Sequence, residues 1–253
     1  MRRNKKVLFG TVVAAGIAGF FLFSLFNATN SPSYVKQAES NIPNGGVSAD
    51  IADGTGEFKK QPPPPIYLPT PEPVKAIYMT SWVAGTPQWR ADLIKFIESS
   101  EINAVVIDVK DYSGRIAFDT DDPVLRSSGA IENRIPDIQE FLHQLAEKRI
   151  YTIARISVFQ DAYMVAKRPD LAVKTLDGSV WKDKKGISWI DVGAKEYWDY
   201  IARIAKATHS VGFDELNFDY IRFPSDGNMK NIAYDFYDET HITKAEALEN
   251  FFV

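Results

Sequence analysis

Four short β-rich runs, each followed by a stretch of helical or loop character, fill the chain from Val74 onward and leave few folds open to it. The runs are 75–79, 104–109, 150–156 and 213–220. After the first, Thr86-Pro87 supplies an N-cap and a first-turn proline, and Leu93, Ile94 and Ile97 form an apolar stripe. Pro136 opens a second helix carrying Ile138, Phe141, Leu142 and Leu145. Asp191-Val192-Gly193 leads into a third, with Tyr197, Ile201, Ile204 and Ala205 on one face. Alternation of this kind specifies parallel βαβ units. No glycine-rich phosphate loop follows any run, which argues against nucleotide binding. The connections after the second and third runs are long, and such loops are where barrels and open α/β sheets build their sites.

Thr243-Lys244-Ala245-Glu246 reads as a capping box, with Leu248, Phe251 and Phe252 beginning an apolar face. From Val74 the chain offers about 180 residues and four strands, whereas a closed eight-fold barrel takes about 250. The expected fold is therefore of (β/α)8 TIM-barrel type with about the first four βα units present. A small, complete four-stranded α/β domain is the alternative. Half a barrel leaves sheet edges open, so this form alone is expected to be inactive.

The segment ahead of this domain is of a different kind. A basic flank at 1–6, with Arg2, Arg3, Lys5 and Lys6, precedes an uncharged run at 7–26. That run is long enough to cross about 30 Å of hydrocarbon as a helix, with the basic flank on the cytoplasmic side. It reads as a single-pass signal anchor; secretion after cleavage of a signal peptide is the alternative. Residues 27–73 lack a sustained apolar period, carry Gly45-Gly46 and Pro62 to Pro65, and are expected to be a disordered, proline-stiffened spacer. The domain at 74–253 is thereby placed outside the cell membrane. A net charge of −4 and the absence of a basic, aromatic-interleaved stripe exclude an obvious nucleic-acid surface. With no cysteine and three scattered histidines, no metal or cofactor is expected.

The fourth run concentrates polar groups on one face. Leu216 and Phe218 alternate with Glu215, Asn217 and Asp219, so the latter three point away from the helices, toward a barrel axis. Burying such a row costs free energy unless each member is satisfied. Asp219 sits nearest the carboxyl end, where barrel enzymes carry catalytic groups. Asp108, Lys110 and Asp111 at the end of the second run, and Arg155 and Asp161 around the end of the third, are expected at the same mouth. There they serve either catalysis or a structural ion network. Glu215, Asp108, Asp111 and Asp161 are candidate carboxyl partners for Asp219, since an acid of raised pKa can work beside one that stays ionised. Asn217, Tyr220 and Arg222 are candidate substrate contacts, as are Trp82, Trp181 and Trp189 as stacking platforms.

The segment Phe213-Asp214-Glu215-Leu216-Asn217-Phe218-Asp219-Tyr220-Ile221-Arg222-Phe223-Pro224 resembles the signature of a bacterial family of glycoside-hydrolase-like barrels long catalogued as a domain of unknown function. Asp108-Val109-Lys110-Asp111, Ala154-Arg155-Ile156, Phe159-Gln160-Asp161 and 167–173 are similar to the same family. The resemblance implies a (β/α)8 barrel distantly related to the α-amylase clan. Asp219 would be the nucleophile, and the acid/base would be a glutamate on a fifth strand, which this chain does not supply. It implies hydrolysis of an extracellular or cell-wall polysaccharide. A non-catalytic carbohydrate-binding module and a structural surface domain are the alternatives. Ile221 stands where a chitinase-type pattern has its glutamate, which argues against that chemistry.

Overall fold

The computed structural model describes residues 61–253. The expected basic flank, the anchor at 7–26 and most of the spacer lie outside the described residues. Among the described residues no helix is long and apolar enough to cross a membrane.

Strands β1 (Ala76–Met79), β2 (Ala104–Lys110), β3 (Tyr151–Ser157) and β4 (Glu215–Asp219) form one parallel sheet in the order 1-2-3-4. These are the four expected strands, with ends displaced by one or two residues. Helices α2 (Pro87–Glu98), α4 (Ile138–Glu147) and α6 (Lys195–Ser210) make the crossovers. Three short helices had no clear apolar period: α1 (Ser81–Ala84), α3 (Pro123–Ser128) and α5 (Ala162–Lys167). Each begins on a side-chain cap, from Thr80, Asp122 and Asp161 respectively. Local capping rather than amphipathicity therefore starts them. The final helix α7 (Lys244–Glu249) opens on the expected capping box of Thr243 and Glu246.

The two faces of the sheet have different fates. Met79, Val105, Ile107, Val109, Ala154 and Ile156 are buried in the main core with Ile94, Ile97, Phe141, Leu145, Ile201 and Ile204 of the helices, and Leu216 and Phe218 pack against it. On the other face Tyr78, Val106, Asp108, Ile153, Arg155, Glu215 and Asn217 align through the strand register, and no crossover helix covers them. A sequential parallel sheet with its helices on one side has the arrangement of a (β/α)-barrel wall and not that of a doubly wound sheet.

The end of the expected spacer departs from its reading as disordered chain. Leu68 packs on Ala104, Tyr151 and Ile153, and its amide donates to Asp214 Oδ1 at 2.6 Å. Asp214 also accepts from the Thr152 amide at 2.8 Å. Residues 61–73 thus cover the amino end of the inner face, because the apolar side chains there would otherwise meet water.

Beyond β4 the segment around Phe236 is stitched to the turn before α6. Asp191 is fully buried and accepts from the amides of Gly193 and Phe236, each at 3.0 Å. A Cβ on Gly193 would stand 2.2 Å from the Phe236 carbonyl oxygen. Gly193→Ala is therefore expected to lower Tm by roughly 5 °C. Overpacking typically costs about 1–3 kcal/mol, and a domain of this size loses about 2–4 °C per kcal/mol. Thermal denaturation of the variant checks it, and an unchanged Tm would show that the Phe236 segment yields freely.

Candidate active site

The carboxyl ends of the four strands bring four side chains into one chain of hydrogen bonds. Pairing sets Asp108 beside Arg155, Arg155 beside Asn217, and Ser157 beside Asp219. From this register the Arg155 guanidinium reaches both ways. Its Nη1 donates to Asp108 Oδ1 at 2.7 Å and its Nε to Asp219 Oδ2 at 2.8 Å, with Nη2 in ion-pair contact with that same oxygen at 2.7 Å. The second oxygen of Asp108 accepts from the Tyr78 hydroxyl, and Asp219 Oδ1 accepts from the Tyr220 amide at 2.7 Å. Asp108 is nearly buried, whereas the Asp219 side chain keeps 44% of its exposure. Asp219 is thus the acid of this group that is open to solvent.

Charge explains why the cluster holds together. Burial works against the Arg155 cation, yet the hydrogen bonds and charges of Asp108 and Asp219 raise its pKa well above the ordinary arginine value. Partial burial and the Asp108 carboxylate push the Tyr78 hydroxyl far up, so it remains a donor. Tyr78 escaped the sequence reading. Its one signal was its place on β1, on the same face as Asp108.

Tyr220 follows β4 with φ 56°, a left-handed conformation that costs a bulky residue about 1–2 kcal/mol. The turn takes Tyr220 out of the strand alternation, and its ring lies near one other ring and two guanidinium groups. Arg155 lies 5.7 Å and Arg222 5.4 Å from the ring centroid, and the Trp189 ring meets it edge-on at 5.9 Å. Across the mouth, Trp82 on α1 is 57% exposed, with the Arg134 guanidinium 4.5 Å from its ring. Arg134, also missed from sequence, is held by Ser81, Asp111 and Glu132 at 3.0, 3.0 and 2.8 Å. Trp82 is therefore a braced platform suited to stacking on a sugar ring.

Asp111 stands in the loop after β2. Burial would raise its pKa, but hydrogen bonds from Ser113 and Arg134, with the charge of Arg134, hold it below the ordinary carboxylate value. A depressed folded pKa stabilises the fold above the unfolded value, and that contribution is lost as pH falls through the folded one. The stability gap between the wild type and Asp111→Asn is accordingly expected to shrink below about pH 4. Urea midpoints measured across the acid range test this, and a gap independent of pH would refute it.

Other expected site residues are placed elsewhere. Lys110 does not join Asp108 at the mouth. The β2–β3 register shifts between these two residues, and Lys110 turns into a fully buried pair with Asp161 at 3.0 Å. Its Nζ also donates to the Ser157 carbonyl at 2.6 Å. Asp161 caps α5 through the Met164 amide and accepts from the Tyr197 hydroxyl at 2.8 Å. Gly114, at φ 82°, lets the loop after β2 close over this pair, since a Cβ there would meet Asp161 Oδ1 at 1.9 Å. Glu215 lies at the opposite end of β4 from Asp219, four residues or about 13 Å away along the strand. It accepts from the Tyr151 hydroxyl at 3.1 Å, beneath the Leu68 segment, and that separation exceeds either glycosidase carboxyl spacing. Asn217 is exposed on the inner face. Trp181 and Trp189 are buried, with indole N–H groups donating to the Asn228 carbonyl and Asp183, so neither offers a free ring face for stacking.

The arrangement offers an ordered, partly exposed carboxylate beside a guanidinium, a polar open face and an aromatic platform. Among the described residues no group of three or more His, Cys, Asp or Glu is placed to hold a metal ion.

Comparison with known proteins follows this architecture. The crystal structure of a hypothetical protein from Ruminiclostridium thermocellum ATCC 27405 is 31% identical, with TM-score 0.64, over 70% of this chain and 88% of that one. A GH31 alpha-xylosidase from a soil metagenome, complexed with xylose, is 17% identical with TM-score 0.47, over 70% of this chain and 26% of that one. Alpha-L-fucosidase isoenzyme 2 from Paenibacillus thiaminolyticus is 11% identical with TM-score 0.45, over 70% and 28%. No curated protein matches the chain. Residues 76–253 match the family model described as "Putative glycosyl hydrolase domain", and the chain belongs to that family.

Proposed function

We propose that this chain is a glycoside hydrolase acting on an extracellular or cell-wall polysaccharide, with Asp219 as nucleophile or essential carboxylate. The observation that carries the reading is the position of Asp219. It ends β4 on the open inner face, accepts from Arg155 Nε and the Tyr220 amide, and keeps nearly half its exposure. Two hydrogen bonds of that kind fix a carboxylate for attack on, or charge stabilisation of, a developing oxocarbenium centre. Trp82 would stack a neighbouring ring, and Asp111, Asn217, Tyr220 and Arg222 would contact the glycan. The basic flank and the apolar run at 7–26 support a membrane-tethered domain held outside the cell.

One observation favours a second reading, a carbohydrate-binding module. Both oxygens of Asp108 and both of Asp219 accept hydrogen bonds, so this pair is arranged as two anions around one cation. Glycoside cleavage also calls for a carboxyl group that gives a proton to the leaving oxygen. Incubating the full chain with polysaccharide panels separates the two readings. Reducing-end release supports the hydrolase, whereas retention on glycan without release, by this chain and by a family member with a closed barrel alike, supports the binding module.

A further inference from the structure

We infer that the glycan handled at this mouth carries a negative charge, and that Arg222 is the residue that selects it. The inference rests on the glycan reading of the Asp219 site and names its substrate class. Nine arginines lie among the described residues, and seven of them pair with a carboxylate. Arg149 and Arg222 do not, and Arg149 follows α4, on the amino side of β3, away from the mouth. Arg222 is therefore the uncommitted guanidinium at the carboxyl end of the sheet.

It is nonetheless held in place. Its carbon lies 5.0 Å from the Trp189 ring centroid and 5.4 Å from that of Tyr220, and its Nη1 donates to Ser225 Oγ at 2.5 Å. Trp189 is itself buried and anchored through Asp183, so the stack is fixed from beneath. Tyr220, whose backbone turns left-handed directly after Asp219, carries one side of this stack. A planar, permanently charged fork that is stacked and only partly hydrogen-bonded is preorganised for a planar or tetrahedral oxyanion. Arg155 cannot take that part, because its donors are committed to Asp108 and Asp219. Those carboxylates would repel an anionic sugar, and Arg222 is the nearby cation able to offset them. A carboxylate on a uronic-acid ring and a sulfate ester share the required chemistry.

The test measures binding of uronic-acid-bearing and sulfated oligosaccharides to the full chain by calorimetry, against carboxyl-reduced and desulfated counterparts. At least one anionic ligand is expected to bind about tenfold or more tightly than its neutral counterpart, and Arg222→Gln to erase that preference. Arg222→Lys should restore only part of it. Because Arg222 is exposed, the variants should keep the wild-type Tm. Which of the two anionic arms responds identifies the anion. Equal binding of charged and neutral ligands, or a preference that survives Arg222→Gln, overturns this inference and leaves the glycan reading standing. Failure of every oligosaccharide to bind overturns both.

Discussion

In a form that turns glycan over, replacing Asp219 by Asn is expected to lower kcat/KM for hydrolysis by on the order of a thousandfold or more, about 4 kcal/mol of barrier, while leaving glycan affinity within a few-fold. The amide keeps the shape of the side chain and can still accept from Arg155, but it neither attacks an anomeric centre nor stabilises positive charge there. Stability should change little. Arg155 retains Asp108, and the Asp219 side chain is 44% exposed, so solvent screens much of what the lost charge contributed. Reducing-sugar assays beside calorimetric binding measure both quantities. Wild-type turnover in Asp219→Asn would remove this residue from the chemistry.

The largest stability effect is expected at Lys110, which the sequence offered as a mouth residue. Lys110→Met leaves Asp161 fully buried with two neutral donors, Tyr197 and the Met164 amide, and no cation. Removing one partner of a buried pair costs about 3–5 kcal/mol, which for a domain of this size lowers Tm by roughly 10 °C. Adding Asp161→Leu should recover part of the loss, because the uncompensated charge is then gone. A Tm shift of a degree or two in the single variant would contradict the assignment. The pair also bears on the mouth. Lys110 ties the end of β2 to the Ser157 carbonyl, next to the strand position that aligns Asp219. A turnover defect in Lys110→Met should therefore accompany the stability defect.

Much of the architecture was legible along the chain. The β-rich runs became β1 to β4, and the apolar stripes beginning at Leu93, Ile138 and Tyr197 became the three crossover helices. Period-two alternation correctly divided Leu216 and Phe218 from Glu215, Asn217 and Asp219. The short helices α1, α3 and α5 were not seen, since four to six residues hold too little periodicity and their caps are single side chains. Residues 61–73 read as spacer because prolines dominate them, although Leu68 and Tyr67 carry contacts to the domain.

Local pattern by itself determined the parallel α/β class, the direction in which the β4 side chains point, and Asp219 as the acid at a strand's carboxyl end. These follow from strand period and chain order. Only the tertiary structure decided which charges meet. A one-position register shift sent Lys110 to Asp161 and left Asp108 to Arg155, while strand rise put Glu215 about 13 Å from Asp219. Tertiary packing set Arg222 5.4 Å from the Tyr220 ring, which Arg155 also approaches. Ion pairing depends on ångström-scale distance between side chains from different strands, and spacing along one chain does not contain that distance.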